Sequence, residues 1–189
     1  RLLGADLSNG AVGMIGTLKP DADGAPVDER TGRRFLSTVR AVLDHEWPRA
    51  LTDWNAGRLL ALLPTPQDLG VDGPGVDERA HELARRLLVA TRDAASGLAV
   101  TLALSRHTPD PQRLGAALHE AELALSIGER LGRLGEVVTF EETGTYKLLF
   151  QIFADRPEEL SSFYESTLAP LVGYDEQYQT ALVATLSTY

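Results

Sequence analysis

The sequence contains no cysteine, no long apolar run and no recognisable secretion signal. Without cysteine the chain has neither disulfides nor thiolate chemistry, which is compatible with a reducing cytosol. No apolar stretch approaches the roughly 18 residues of a membrane span, and no charged segment leads into an apolar one as in a signal peptide. We therefore expect a cytoplasmic protein that makes no membrane contact.

Positive charge is also scarce. The chain has 18 Lys and Arg residues against 27 Asp and Glu residues, which gives a formal net charge of −9. The cations are scattered among the acids, whereas a nucleic-acid-binding domain usually gathers them on one face. This composition argues against a polyanion-binding surface within the chain itself.

The residue patterns of common metal and enzyme sites are missing as well. The four histidines form no H-x-H, H-x-x-H or H-E-x-x-H pair, and the chain has no G-x-S-x-G, P-loop or G-x-G-x-x-G motif. His119 stands beside Glu120 and Glu122, which predicts a solvated helix face, while His107 could line a pocket. The remaining histidines are His45 and His81.

Asp21-Ala22-Asp23-Gly24 is the one stretch that resembles the start of a cation-binding loop. Ala25-Pro26 interrupts the ligand spacing that a Ca²⁺ loop needs, so the stretch is interpreted as a solvated turn. We therefore predict no catalytic, cofactor-binding or metal-binding residues and no cofactor, and no effector-binding residue can be named.

Strand and helix patterns alternate over the first 140 residues. Asn55-Ala56-Gly57 is a short polar turn between two apolar stretches, which is a hairpin signal. Trp47 and Trp54 flank the entry to this hairpin and are expected to pack against the sheet. The residues of the third helix that are expected to face the core are Leu114, Ala117, Leu118, Ala121, Leu125 and Leu131. The predicted elements are a strand at 11–18, a helix at 29–47, a hairpin at 50–54 and 58–63, a helix that ends at Gly97, a strand at 98–105, a helix of about twenty residues after Pro111, and a short strand at 136–140.

After residue 140 the pattern is helical only, with helices expected at 146–153, 157–171 and 175–189. The resulting order is β-α-β-β-α-β-α-β followed by a C-terminal helical extension, an α/β (α+β) class. Its first six elements match the split βαβ arrangement of ferredoxin-like folds, with their helices on one side of one sheet. Acidic residues make the extension a poor DNA-reading element: Glu158, Glu159, Glu165, Asp175 and Glu176.

The stretch "LGAALHEAELALSIGERLGRLGEVVTFEETGTYKLLF", from Leu114 to Phe150, resembles the central, GGDEF-like domain of PucR/CdaR-type bacterial transcription regulators. The opening "RLLGADLSNGAVGMIGTL" is similar to the family's entry segment, and "YDEQYQTALVATLSTY" to the start of its C-terminal helix-turn-helix region. The resemblance implies a degenerate GGDEF-like domain at 1–153 and, at 154–189, a helical linker into a helix-turn-helix domain that would follow Tyr189. Since the chain starts at Arg1 rather than Met, we expect it to be part of a longer protein.

Diguanylate cyclases carry two metal- and phosphate-holding acids on a similar hairpin. Aligning "NAGRLLALLP" with the cyclase pattern G-G-D-E-F-x-x-x-L-P places Gly57 at the first acid and Arg58 at the second. Mg²⁺ takes anionic oxygen ligands, whereas a guanidinium is permanently cationic and has no acceptor. The hairpin is therefore expected to survive as architecture only, with Arg58 exposed near its tip.

The resemblance implies a non-catalytic, signal-relaying and dimerising core of a transcription regulator. DNA would then be contacted only through the missing C-terminal domain, and the expected partner is a second copy of the chain. Two alternatives remain open: a nucleotide-binding or cyclase-like enzyme with a rearranged site, and a domain that senses a small-molecule effector.

Overall fold

The computed structural model of the chain describes residues 5–19, 28–55, 57–66, 75–95, 97–144 and 164–187. The chain divides into two compact units, Arg1–Gly144 and Thr145–Tyr189. The domain boundary predicted between 153 and 154, the helix predicted at 146–153 and the Asp21–Gly24 turn all lie outside the described residues.

The first unit has the predicted order of strands and helices. Its elements are β1 (Ala11–Lys19), α1 (Glu29–Glu46), β2 (Leu51–Asn55), β3 (Arg58–Pro64), α2 (Val76–Thr91), β4 (Ala99–Leu104), α3 (Leu114–Arg130) and β5 (Val137–Thr139), with a 3₁₀ turn at Pro111–Arg113 before α3. The predicted α/β class is therefore confirmed. The second predicted helix is shorter than expected, since α2 ends at Thr91 and a turn rather than a helix leads to Gly97.

One five-stranded sheet organises the first unit, with the strand order β2-β3-β1-β4-β5. The central strand β1 runs antiparallel to both β3 and β4, while β5 joins the edge parallel to β4. The first four strands thus have the arrangement expected of a split βαβ fold.

The sheet is covered on both faces because β1 is apolar on both sides. Val12 and Met14 face α1 and α2 in the larger core cluster, whereas Ile15 belongs to a smaller cluster with α3. Helices α1 and α2 share one side, as predicted for the first six elements, and α3 lies on the other. A Cβ on Gly13 would lie 3.0 Å from the backbone of Ala117, so glycine allows α3 to approach β1 closely.

The residues buried by α3 differ at one end from those predicted. Ala117, Ala121 and Leu125 are buried as expected, but Leu131 is half exposed. The helix ends at Arg130, and Gly132 then turns the chain with a φ of 75°. Leu131 therefore leaves the helical stripe just where the periodicity would have buried it.

In the second unit the described residues form a π-helical turn at Tyr164–Leu168, α4 (Ala169–Tyr178) and α5 (Leu182–Ser187). The continuous helix predicted at 175–189 is wrong, because the chain turns at Gln179 with a φ of 52°. The Asp175 carboxylate accepts hydrogen bonds from the backbone N–H groups of Leu182 and Val183, both at 2.9 Å. Asp175 thereby supplies the N-terminal cap that starts a new helix.

None of the helices among the described residues combines the length and apolar character needed to cross a membrane.

Candidate functional site

The hairpin predicted from the sequence is present, and its tip lies beside the end of β1. Asn55 pairs with Arg58 across a two-residue turn, and Gly57 has the positive φ, 79°, that such turns favour. Arg58 pairs in turn with Thr17 on β1. The hairpin tip and the C-terminal end of β1 therefore form one end of the sheet, which is where the cyclase resemblance directs attention.

Two positively charged side chains, Lys19 and Arg58, lie at this end, and each forms a salt bridge with a glutamate of α3. Arg58 Nη1 lies 2.8 Å from Glu122 Oε1, and its side chain is exposed as predicted. Lys19 Nζ lies 2.7 Å from Glu129 Oε2, while the Thr17 hydroxyl donates to Glu129 Oε1 at 3.1 Å. Glu122 and Glu129 are seven residues apart, two helical turns, so both project from the same side of α3.

These residues do not fit a divalent cation. The Lys19 ammonium and the Arg58 guanidinium offer only N–H groups, whereas the ligands of a metal ion must donate an electron pair, as carboxylate oxygens do. The two carboxylates nearby are already neutralised by these cations. Across all the residues that the structure describes, no cluster of three or more His, Asp or Glu side chains is placed to hold a metal ion.

Trp54 closes the space on the opposite side of the hairpin, next to the start of α1. A Cβ on Gly32 would lie 2.8 Å from Trp54 Nε1, so the ring rests directly on the first turn of the helix. The ring centroid of Phe35 lies 5.4 Å from that of Trp54. This is the packing of an aromatic side chain against the body of the domain, as predicted, and it fills the room next to the helix start.

The start of α1 is capped by its own side chain. Asp28 Oδ1 accepts a hydrogen bond from the Thr31 backbone N–H at 2.7 Å, and this bond lowers the pKa of the Asp28 carboxyl. An anionic ligand at this helix start would have to displace an aspartate that already occupies the place of the anion.

The structure does not bring the predicted histidines together into a site. His119 is exposed on α3, as predicted, and His45 and His81 lie on α1 and α2. His107 lines a shallow pocket, as the sequence allowed, and its Nε2 lies 2.7 Å from the Thr65 hydroxyl. The two salt bridges at the hairpin were not predicted from the sequence, although the seven-residue spacing of Glu122 and Glu129 could have indicated paired contacts on one helix face.

A family model described as a GGDEF-like domain matches residues 1–127. The chain belongs to the GGDEF-like domain family. The match covers β1 to most of α3, and so includes the hairpin, β1 and the Glu122 that binds Arg58. No curated protein matches the sequence. The GGDEF-like part of the predicted resemblance is thus confirmed.

Proposed function

We propose that this GGDEF-like domain is a non-catalytic, signal-relaying and self-associating core of a PucR/CdaR-type transcription regulator. The observation that carries the proposal is the pair of salt bridges at the hairpin. Arg58 stands at the place of the second acid of the cyclase hairpin, and it and the neighbouring Lys19 are each bound to a glutamate of α3. Because both carboxylates at this end are bound to cations, the site does not offer the oxygen ligands that metal-assisted attack requires.

The salt bridges suggest a structural role for this end of the sheet. They connect α3 to β1 and to the hairpin, and under this proposal they hold the end of the sheet and the helix together as one rigid unit. Exposed ion pairs contribute only about 0–1 kcal/mol each, so their effect is on geometry more than on stability. A relay domain needs such a rigid body between the elements that receive a signal and those that transmit it.

Exposed apolar surface supports self-association. Four half-buried leucines, three on β2 and β3 and one on α3, line a shallow groove of about 210 Å³ on the β2–β3 part of the sheet. We call Leu51, Leu60, Leu62 and Leu118 the leucine patch. In the second unit, Tyr174, Tyr178 and Leu186 are each about half exposed. An exposed apolar groove such as the leucine patch marks an interaction site, and paired half-sites on DNA require paired subunits.

Titration calorimetry with GTP and with ATP, each with Mg²⁺, tests the loss of catalysis. We expect no metal-dependent binding by the protein, and the same null result for Arg58→Gln, because the cation is not part of a nucleotide site. An authentic cyclase serves as the positive control. Tight, Mg²⁺-dependent binding that Arg58→Gln alters would establish the rival proposal, a nucleotide-handling enzyme with a rearranged site.

The second alternative, a domain that senses a small-molecule effector, is compatible with the first. An effector at 100 times its dissociation constant stabilises the folded state by about 2.7 kcal/mol, so it would raise the melting temperature measurably.

A further inference from the structure

A cavity of about 340 Å³ lies at the C-terminal ends of α1 and β3. This is the end of β3 away from the hairpin turn. The walls of the cavity combine rings, hydrogen-bonding groups and charge. The rings are those of Trp47, Pro48, Pro64 and Pro66; the polar and charged side chains are Asp6, Asn9, Arg49, Thr65 and Arg79. A concave, partly apolar site of this size with a few polar groups is typical of small-molecule binding.

The floor of the cavity is held in place by hydrogen bonds. The Trp47 indole N–H donates to the Pro64 carbonyl at 2.8 Å, and the indole is almost completely buried. The Thr65 hydroxyl donates to the Asn9 carbonyl at 2.7 Å, which joins the N-terminal segment to the end of β3. The Arg79 guanidinium carbon lies 5.2 Å from the centroid of the Trp47 ring. A pocket built this way keeps its shape before any ligand arrives, so binding does not have to order it.

Arg49, at the mouth of the cavity, has a strained backbone. Its φ is 73°, in a turn closed by a hydrogen bond of 3.2 Å from the Ala50 N–H to the Trp47 carbonyl. Pro48 followed by a residue of positive φ is the pattern of a type II turn, whose third position favours glycine. An arginine here is less stable than glycine would be, and strain of this kind collects at binding sites. The turn holds the guanidinium at the cavity.

The charges of the cavity favour an anion. No hydrogen bond or ion pair to the Arg49 guanidinium is seen within the described part of the chain. The Asp6 carboxylate also lines the cavity and binds the Ser8 amide at 3.1 Å and the Ser8 hydroxyl at 2.6 Å, but Arg49 and Arg79 outnumber this one acid in the lining. A guanidinium offers parallel N–H groups that match the two oxygens of a carboxylate.

We propose that this cavity binds a small organic carboxylate, with its carboxylate on Arg49 and its apolar part against the proline rings. This binding site goes beyond the proposed regulatory role, and its direct measurement does not depend on that role. Arg49 and the Asn9 amide fix the orientation of the ligand. The position of Trp47 in the wall makes its indole a reporter of occupancy.

Two-dimensional ¹H–¹⁵N NMR tests the proposal with benzoate and with benzamide, its uncharged counterpart. The chain has two tryptophans, so Trp54, which packs on Gly32 away from the cavity, is an internal control. We expect the Trp47 indole signal to shift on titration with benzoate, with a dissociation constant of about 1 mM or tighter. Benzamide and acetate should bind at least about tenfold more weakly, since one lacks the charge and the other the apolar body.

Variants of Arg49 separate binding from folding. Arg49→Gly and Arg49→Asn fit the positive φ, so the melting temperature should stay the same or rise, while benzoate affinity falls about tenfold or more. Arg49→Lys should retain part of the affinity, and Arg85→Gln, an exposed arginine on α2, should change nothing. Equal affinity for benzoate and benzamide, undiminished binding by Arg49→Gly, or no Trp47 shift with benzoate at about 20 mM would each overturn the proposal.

Discussion

The Asp77 carboxylate accepts a hydrogen bond from the backbone N–H of His107, at 2.7 Å. Asp77 belongs to the first turn of α2, and His107 to the segment that follows β4. Nε2 of the His107 ring lies 2.7 Å from the Thr65 hydroxyl oxygen. Because that hydroxyl donates to the Asn9 carbonyl, His107 Nε2 must supply the hydrogen in its own contact with Thr65. One polar network thus joins four segments that the sequence separates widely.

Replacing Asp77 tests how much of this network depends on its oxygen and how much on its charge. Asp77→Ala leaves the His107 N–H without its acceptor and should lower the free energy of unfolding by about 1–3 kcal/mol. Asp77→Asn retains an acceptor oxygen and should stay within about 1 kcal/mol of the parent. Urea denaturation of both variants measures the difference. An equal loss in the two variants would contradict the assigned role of the oxygen.

The pH dependence of the same comparison follows from the pKa of Asp77. Burial raises the pKa of the Asp77 carboxyl above its ordinary value of 3.8, despite the opposing hydrogen bond from His107. At pH values between the pKa of Asp77 in the unfolded state and its raised pKa in the folded state, the folded state binds more protons than the unfolded state. The contribution of Asp77 to stability therefore falls as pH rises. We therefore expect the parent to gain stability relative to Asp77→Asn as pH falls through this window, measured by urea denaturation at several pH values.

A pair of glycines tests the contact between α3 and the sheet. A Cβ on Gly13 would lie 3.0 Å from the Ala117 backbone, so Gly13→Ala must displace α3 and should destabilise the protein by about 1–3 kcal/mol. A Cβ added to Gly115, on α3 itself, would have no neighbouring atom within 4 Å. Gly115→Ala should stabilise by about 0.4–1 kcal/mol, since alanine favours the helix. Thermal unfolding measures the change in stability of each variant. A change in the same direction for both variants would contradict the close contact between α3 and β1.

The fold could be predicted from the sequence because its elements have regular periods. The continuous apolar run of β1 and the three-to-four-residue spacing of Phe35, Val39 and Leu43 in α1 are local signals, and all of these residues are buried except Lys19 at the strand end. The hairpin could be located from its polar turn for the same reason. Local periodicity determines such elements before any tertiary contact forms.

The site contacts could not be predicted in this way, because they join residues that are distant in the sequence. Arg58 and Glu122 are 64 positions apart, and nothing in either local pattern links them. The break after α4 was missed because the Asp175 side chain captures N–H groups seven and eight residues ahead. The strained Arg49 was missed as well, although Pro48 before it is a turn signal.

Acid should weaken the α4–α5 junction. Hydrogen bonds from the Thr180 hydroxyl, and then from the Val183 and Leu182 amides, lower the pKa of the Asp175 carboxyl below 3.8. A depressed pKa contributes stability that is present above the unfolded value and lost as pH falls through the folded one. We expect the amide protons of Leu182 and Val183 to exchange faster in Asp175→Ala than in the parent at neutral pH. The parent itself should approach the variant only below about pH 4.

Self-association should depend on the leucine patch. We expect light scattering at micromolar concentration to give about twice the 20.5 kDa mass of one chain. Leu60→Lys and Leu62→Lys should shift the protein towards the monomer, since a charge must lose its water in an apolar interface. Val89→Lys is the control, because Val89 is 69% exposed on α2, away from the patch. A clean monomer in the parent would remove this domain as the main dimerising element.

Duplex DNA should bind weakly to this chain at physiological salt. Non-specific binding is almost wholly electrostatic and needs Lys and Arg side chains along the phosphate backbone, whereas the chain has a net charge of −9. Arg30, Arg33 and Arg34 are the densest basic spot, and Arg33 already lies 3.3 Å from Glu29.

Under the proposed function, a longer protein that continues past Tyr189 into a helix-turn-helix should bind its promoter specifically, because a recognition helix is then present. Gel-shift titrations of both proteins on that promoter and on a scrambled duplex, at about 50 and 200 mM salt, measure the difference. Equal and salt-resistant retardation by the shorter chain would show that this domain itself contacts DNA.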